Sequence, residues 1–319
     1  MKDDFGRKIN YMRISITDLC NLRCIYCMPE DGVSKRTHRT NLSFEEIIDL
    51  VNAGVSLGID KIRLTGGEPL VRRGVLDLVE RIGQISGIRD FAMTTNGILL
   101  PEMAKDLKEA GLKRLNISLD TMNPEKYTKI TRIGHLNQAL DGIEAAKEAG
   151  FSPLKINIVL IKGFNDDEIE RFVDFTRENP VEIRFIELMP LGESTQYAFG
   201  QYLSNDTVIE RVPELQLLQG ADSSGPAKRY RLPGAVGTVG LINPISHLFC
   251  SDCNRIRVTT DGKIKPCLHS DLELDIKKLK GEGLSYAEIV TLAIGAKPER
   301  HYIDQNETIK KRNMNEIGG

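Results

Sequence analysis

The first two thirds of the chain alternates short apolar runs with longer stretches in which apolar residues recur at helical spacing. Six runs rich in β-branched residues predict strands at 12–16, 61–65, 90–94, 114–118, 155–161 and 182–188. Amphipathic spacing predicts helices at 43–57, 74–86, 101–110, 135–149 and 166–178. Strand–helix alternation produces a parallel sheet, and six units fall short of the eight in a closed barrel. We therefore expect a partial (β/α)6 barrel of the TIM type.

The pattern changes near residue 190, where turn-forming residues become frequent. Short strands are predicted near 228–232, 237–242, 255–259 and 263–266, followed by helices near 272–280 and 285–296. The polar residues 310–319 are typical of an exposed tail. We expect an α/β protein with the partial barrel in residues 1–215 and a smaller, irregular α+β module in residues 216–319.

Composition narrows the possible partners of this 319-residue, 35.6 kDa chain. Its 43 Lys and Arg residues nearly balance its 45 Asp and Glu residues, which argues against a broad nucleic-acid surface but allows a local basic pocket. No apolar run approaches the roughly 18 residues of a membrane helix. The charged start MKDDFGRKIN is not typical of a secretory signal. We expect a cytoplasmic protein that binds neither nucleic acid nor a membrane.

Cysteine is the most informative residue type, because the six cysteines form two groups of three. Cys20, Cys24 and Cys27 follow the first predicted strand, at the end of a parallel barrel where ligand sites gather. The second group is Cys250, Cys253 and Cys267. Thiolates hold iron–sulfur clusters, and three thiolates leave one iron of a four-iron cluster open to a substrate or cofactor. The spacing favours two such clusters.

Two other uses of the cysteines have to be weighed. Disulfides are disfavoured by the expected cytoplasmic location. A zinc site made by the second group with His247 or His269 is the stronger alternative. Zinc is less suited to the first group, because no histidine lies within residues 17–32.

The sequences around these cysteines resemble a known superfamily. The segment CNLRCIYC at 20–27 resembles the signature of the radical S-adenosylmethionine (SAM) enzymes, and TGGEP at 65–69 resembles their methionine-binding segment. The segment FCSDCNRIR at 249–257, together with Cys267 and the terminal Gly318 and Gly319, resembles one branch, the GTP 3′,8-cyclases. These enzymes catalyse the first step of molybdenum cofactor biosynthesis. The resemblance covers essentially the whole chain.

The resemblance implies a lyase that uses two [4Fe-4S] clusters and SAM. In this family a 5′-deoxyadenosyl radical abstracts the ribose 3′ hydrogen of GTP. The ribose radical then attacks guanine C8, which gives 3′,8-cyclo-7,8-dihydroguanosine 5′-triphosphate. The implied partners are GTP, SAM, an unidentified low-potential electron donor and the next enzyme of the pathway. The sequence leaves open whether the protein is a monomer or a homodimer.

The resemblance also assigns roles to individual residues. The six cysteines are the implied cluster ligands. The implied SAM contacts are Tyr26, Gly67, Ser118 and Met189, with Glu68 accepting from the methionine ammonium. The implied GTP contacts are Arg13, Arg63, Thr94, Lys155, Arg255 and Arg257. Taken singly, these residues have ordinary alternatives. Tyr26 and Met189 could pack in the core, the glycines of the segment 65–69 could form a plain turn, and each strand cation could point to solvent.

Three rival functions remain on the sequence alone. The nearest is another radical SAM enzyme with an auxiliary cluster, although such enzymes usually carry more cysteines near the C-terminus. The others are an electron carrier with two clusters and a zinc-stabilised nucleotide-binding protein. Iron content, SAM cleavage on reduction and dependence on GTP distinguish them.

The terminal glycines generate a first prediction. The resemblance implies that Gly318 and Gly319 belong to a mobile segment that reaches the active site. A variant lacking both glycines should therefore lose turnover while its melting temperature stays close to that of the full chain. Turnover assays beside thermal unfolding test this, and undiminished turnover in the truncated protein would contradict it.

Overall fold

Six parallel strands form the centre of the fold, as the apolar pattern predicts. The computed structural model describes residues 1–33, 41–218, 225–303 and 312–318. The strands are β1 Tyr11–Ser15, β2 Lys61–Thr65, β3 Asp90–Thr95, β4 Arg114–Ser118, β5 Leu154–Leu160 and β6 Val181–Glu187. Each pairs in parallel with the next along the chain. The expected partial barrel is confirmed: the sheet is open, and β1 and β6 do not pair with each other among the described strands.

Helices cross between the strands, and five of the six lie where amphipathic spacing predicts them. They are α1 Phe44–Ser56, α2 Val75–Gly83, α3 Leu100–Glu109, α4 Pro124–Thr131, α5 Leu136–Glu148 and α6 Ile169–Phe175. Helix α4 was not predicted, although its start carries a recognisable signal. The Asn123 side chain caps it by accepting from the backbone N–H groups of Glu125 and Lys126, and Pro124 occupies its first turn.

The C-terminal third continues the same sheet. After α7 Thr195–Gln201 and α8 Asp206–Arg211 come β7 Gln216–Leu217, β8 Ala227–Arg231, β9 Thr238–Ile242, β10 Arg255–Val258, β11 Lys263–Lys265 and β12 Leu274–Asp275. Strand β9 pairs in parallel with β6, and β10 pairs in parallel with β1. All twelve strands thus belong to one sheet. The division of the chain at 215/216 stays a prediction.

The chain ends in α9 Ile276–Gly281, α10 Tyr286–Gly295 and α11 Met314–Ile317. The prediction of an exposed tail is wrong for residues 312–318. Arg312 is 9% exposed and pairs with Asp261 and Glu273, while Ile317 is fully buried against Leu191. The polar composition of this segment does not reveal the acidic partners of Arg312, which lie 39 and 51 residues earlier in the chain. Gly319 lies outside the described residues.

Alternation along the parallel strands separates two environments. Ile14, Leu64, Ile117, Ile156 and Phe185 belong to the buried core that also contains the apolar faces of the helices. Most of the residues between them face the inside of the partial barrel and are polar or charged; Ala92, Val159 and Ile186 are apolar exceptions. Arg13 stands beside Arg63 on one side and Arg257 on the other, in register across β2, β1 and β10. The apolar face stabilises the fold, and the polar face is left for a site.

Within the described residues, we find no helix with both the length and the apolar character needed to cross a bilayer.

The contact between α5 and the turn after β3 generates a stability prediction. A Cβ at Gly142 would lie 2.0 Å from the backbone oxygen of Gly97, so Gly142→Ala should force the helix away. We expect the free energy of unfolding to fall by about 1–3 kcal/mol. Gly295→Ala is the control, because open space surrounds Gly295 at the end of α10, and it should raise that free energy by about 0.5–1 kcal/mol. Urea unfolding measures both, and equal stabilities would contradict the packing argument.

Candidate functional site

A basic cavity occupies the inside of the partial barrel. It is lined by the cysteines of the second group and by many polar side chains of the strands. Its cations are Arg13, Arg63, Arg184, Arg255, Arg257 and Lys297. Among the described residues that line it there is no Asp or Glu. A chain of nearly neutral total charge therefore concentrates positive charge in one internal space.

Burial and mutual repulsion disfavour the charged forms of these side chains. Burial and the neighbouring Arg257 hold the pKa of Arg13 well below its usual value. Burial and Arg255 lower the pKa of Arg257 to about 10. The Arg63 pKa is lowered chiefly by burial as well. An anion in the cavity would relieve all three shifts at once, so the site is suited to a polyanionic ligand.

The two remaining residues proposed for GTP lie on the same interior face. Arg63 Nη1 donates to Thr94 Oγ1 at 3.4 Å. Lys155 is 4% exposed, and its Nζ lies 3.2 Å from Glu182 Oε2. Asn116 stands between Thr94 and Lys155 in register, and neither atom of its side-chain amide has a hydrogen-bond partner among the described residues. The sequence analysis did not single out Asn116.

A buried ionic cluster at the start of β6 was also missed. Glu182 accepts from Arg184 and lies 3.0 Å from an Arg229 guanidinium nitrogen, in addition to its contact with Lys155. Although burial opposes ionisation, these three cations hold the pKa of Glu182 at about 2. The alternation of Glu182 and Arg184 with apolar neighbours in the predicted strand was the signal that would have revealed the cluster.

The first cysteine group lies in the loop after β1, as predicted. The Cys27 backbone N–H donates to the Cys24 carbonyl at 3.0 Å, which closes a turn between them. Burial raises the pKa of Cys20 to about 11 and that of Cys27 to about 12, and it raises the pKa of Cys24 as well. Cys20 and Cys27 raise the pKa of Cys24 further, and Cys20 raises that of Cys27. The three sulfurs therefore stand close together, and binding of a metal would have to displace their protons.

The chain around α4 holds this loop in place. Arg132 Nη1 donates to the backbone oxygens of Arg23 and Met28, at 2.8 and 3.2 Å. The Tyr26 hydroxyl donates to Asp120 Oδ2 at 2.6 Å, just past the end of β4 that carries Ser118. These contacts fix the loop against the carboxyl ends of the strands.

The segment at 65–69 packs tightly under the same loop. A Cβ at Gly67 would lie 2.5 Å from the Leu19 carbonyl, so only glycine allows this approach. Glu68 is fully buried and accepts from the Leu70 and Asn96 backbone N–H groups and from the Thr95 hydroxyl. Its carboxylate thus joins β2 to the end of β3, a role that the sequence analysis did not foresee.

The second cysteine group surrounds the other side of the cavity. Cys250 and Cys253 lie in one turn, and Cys267 follows β11. Although burial raises it, Arg255 and Lys297 bring the pKa of the Cys253 thiol down to about 7. His247 turns away to Asp206, at 2.9 Å, while His269 lines the cavity and packs on His301. Of the two histidines considered for zinc, only His269 lies on the cavity side of this group.

Both cysteine groups fit an iron–sulfur cluster by their chemistry. Each offers three soft sulfur donors on adjoining turns. Across the part of the chain that the structure describes, no three Cys, His, Asp or Glu side chains are already arranged for one shared metal ion. The fit therefore rests on the donor set and, for the second group, on its position at the cavity.

The C-terminal segment connects the two cysteine groups. The Asn315 backbone N–H donates to the Cys27 sulfur. Arg257 Nη1 donates to the Gly318 carbonyl at 2.7 Å. Met189 and Leu268 pack against the apolar side chains of the same segment. The end of the chain is therefore part of the wall of the site.

The contacts of Arg132 generate a prediction about the cysteine loop. Arg132→Ala removes both donors to the loop backbone, so amide hydrogen exchange across residues 20–28 should become faster. Arg177→Ala, which removes an exposed guanidinium paired with Asp174, should leave that exchange unchanged. Hydrogen-exchange mass spectrometry compares the two, and unaltered exchange in Arg132→Ala would show that the loop is held by other contacts.

Comparison with known proteins identifies two matching families. The family described as "Radical SAM superfamily" matches residues 14–176, and the one described as "Molybdenum Cofactor Synthesis C" matches residues 181–303. Proteins named GTP 3′,8-cyclase from Alkaliphilus oremlandii and Alkaliphilus metalliredigens are 53% and 52% identical, and each match covers 100% of both chains. A protein of the same name from Peptoclostridium acidaminophilum is 51% identical over 99% of this chain and 98% of its own.

Solved structures support the fold. Streptococcus suis SuiB bound to S-adenosylmethionine superposes with a TM-score of 0.58 at 14% identity, covering 84% of this chain and 61% of its own. Methylornithine synthase (PylB) gives a TM-score of 0.50 at 17% identity, covering 65% and 63%. At such identities the likeness concerns the fold alone. The family follows from the full-length relatives: the chain belongs to the GTP 3′,8-cyclase family of radical SAM enzymes.

Proposed function

We propose that this chain converts GTP into 3′,8-cyclo-7,8-dihydroguanosine 5′-triphosphate, using SAM and two [4Fe-4S] clusters. The observation that carries the proposal is the internal cavity with six cations and no lining carboxylate among the described residues, placed beside the second cysteine group. GTP brings a triphosphate to the cations and a purine to the cysteines. The names of the full-length relatives support the same substrate.

The first cysteine group would hold the cluster that binds SAM. Bound there, SAM and the cluster would supply the radical chemistry that removes the ribose 3′ hydrogen of GTP. Gly67 would admit the methionine backbone, and Ser118 would offer a hydroxyl from the end of β4. Tyr26 and Met189 would flank the adenine, the tyrosine being fixed by Asp120. Their common position at the carboxyl ends of the strands supports this assignment.

The cations on the strands would bind the triphosphate and orient the nucleotide. Arg13, Arg63 and Lys155 lie on β1, β2 and β5 of the same sheet, and Thr94 accepts from Arg63. Arg255 and Arg257 would approach from β10, between the substrate and the second cysteine group. Arginine binds phosphate through paired hydrogen bonds, which fixes orientation as well as position. Holding C8 near the 3′ carbon favours the intramolecular attack.

Cys250, Cys253 and Cys267 would hold the second cluster, with its open iron toward the guanine. The soft donor set and the cavity position of all three support this. Residues 1–215 would carry SAM cleavage and residues 216–319 the second cluster. A low-potential electron donor and transfer of product to the next enzyme complete the proposal.

The decisive experiment is anaerobic incubation of reconstituted protein with SAM, reductant and GTP. We expect about eight irons per chain, formation of 5′-deoxyadenosine, and a product that has the mass of GTP but a different retention. GTP deuterated at the 3′ position should transfer its label to 5′-deoxyadenosine. Protein with a full iron complement that cleaves SAM without forming this product would overturn the proposal.

Lys155 generates a pH prediction for GTP binding. Burial and the Arg184 guanidinium lower the pKa of Lys155 to about 7, so the free protein loses this charge as the pH rises through 7. A bound triphosphate favours the charged ammonium, so binding above pH 7 takes up a proton. Affinity should then fall by up to about tenfold per pH unit relative to a variant without the lysine.

The measurement is the dissociation constant of GTP at pH 6.5 and 8.5. In Lys155→Met the affinity for GTP should no longer fall with pH in this way, and binding of GTP should be weak at both pH values. Lys162→Met removes an exposed lysine just beyond β5 and should behave like the unaltered protein. The same pH slope in Lys155→Met and in the unaltered protein would exclude Lys155 as the titrating group.

A further inference from the structure

Lys297, one of the six cavity cations, lies at the second cysteine group and is not among the residues assigned above to individual GTP contacts. Lys297 follows the last turn of α10 and is 3% exposed. Its Nζ donates to the Arg255 carbonyl at 3.0 Å and to the Pro266 carbonyl at 2.9 Å. Lys297 also lines the cavity beside the three cysteines of the second group. An ammonium has three N–H groups, and two of them are accounted for by these carbonyls.

These contacts join separate parts of the cysteine group. Arg255 lies two residues after Cys253, and Pro266 immediately precedes Cys267. Lys297 therefore fixes the spacing between the turn before β10 and the residue after β11. Arg7 makes a parallel connection, because its guanidinium donates to the carbonyls of Cys250 and of residues 298 and 299. The segment at 297–299 thus contacts the surroundings of all three cysteines.

The charge of Lys297 distinguishes it from its neighbours. Arg7 pairs with Asp3, and the fully buried Lys265 pairs with Glu273. Within the described residues, Lys297 forms no ion pair with a carboxylate. A buried ammonium requires a counter-charge, and Lys297 lines the cavity beside the three cysteines. The sulfurs of the second group are therefore the partners available to it.

We propose that Lys297 is a positioning residue of the second cluster, which spaces its cysteines and compensates its negative charge. The inference rests on the proposed function, since it requires a cluster at these cysteines. A buried positive charge stabilises the reduced, more negative cluster, and hydrogen bonds to cluster sulfurs raise the reduction potential. Lys297 would thus set the potential of this cluster without contacting the substrate.

The test is the reduction potential of the second cluster, measured in the full chain. Cys20→Ala, Cys24→Ala and Cys27→Ala together leave only the second cluster, which is titrated under anaerobic conditions with electron paramagnetic resonance as the readout. Adding Lys297→Met should shift the redox equilibrium toward the oxidised cluster by about tenfold, equivalent to about 59 mV for one electron. Lys297→Arg, which keeps the charge, should restore most of that shift.

Lys265→Met is the matched control. It removes another buried lysine from the same region, but one whose charge is already balanced by Glu273. The reduction potential of the second cluster in the variant with Lys265→Met should match that in the triple alanine variant without it. Loss of iron from Lys297→Met, with normal iron in Lys265→Met, also supports the proposal, because it reports the spacing role. Should the methionine variant not fold, Lys297→Gln tests the same charge with a polar side chain.

Two results would overturn the inference, and they are distinguishable. Normal iron content and an unchanged potential in both uncharged variants would exclude Lys297 and leave the proposed function intact. About four irons in the unaltered protein and none in the triple alanine variant would mean that no second cluster exists. That result would overturn the two-cluster proposal together with this one.

Discussion

The structure depends on confining positive charge inside a parallel sheet. Arg13, Arg63 and Arg257 stand side by side on three strands, where burial and mutual repulsion oppose their charged forms. Such an arrangement is tolerated only because the opposite faces of the same strands bury a continuous apolar core. An anion that enters the cavity favours the charged forms of these arginines, so its binding offsets part of the cost of burying them. Along each strand, one residue packs in the core and stabilises the fold, while the next carries a buried charge that lowers stability and favours ligand binding.

The sequence predicts the frame of this protein well, because a parallel barrel leaves a strong periodic signal. All six barrel strands lie within one or two residues of their expected places. Helix α4 was missed because its eight residues give too short a pattern, although Asn123 and Pro124 mark its start. The C-terminal tail was misjudged for a different reason: the burial of Arg312 depends on acidic partners that no local pattern reveals.

The same distinction applies to the site. The cysteines and the strand arginines are visible because their residue types and spacing are unusual. Glu182, Asn116 and Lys297 are not, since a glutamate, an asparagine or a lysine is ordinarily a surface residue. Their significance arises from what surrounds them: three cations around Glu182, an amide without a partner at Asn116, and two carbonyls around Lys297. Such information exists only in three dimensions.

The continuous sheet has a mechanical consequence. Strand β10 is bonded along its length to β1, so the turn carrying Cys253 and the loop carrying Cys20 extend from opposite ends of two paired strands. Their separation is set by a hydrogen-bonded ladder instead of a linker, and it cannot change by hinge motion between halves of the chain. Any chemistry that involves both cysteine groups therefore takes place between centres that the strand ladder holds at a constant distance.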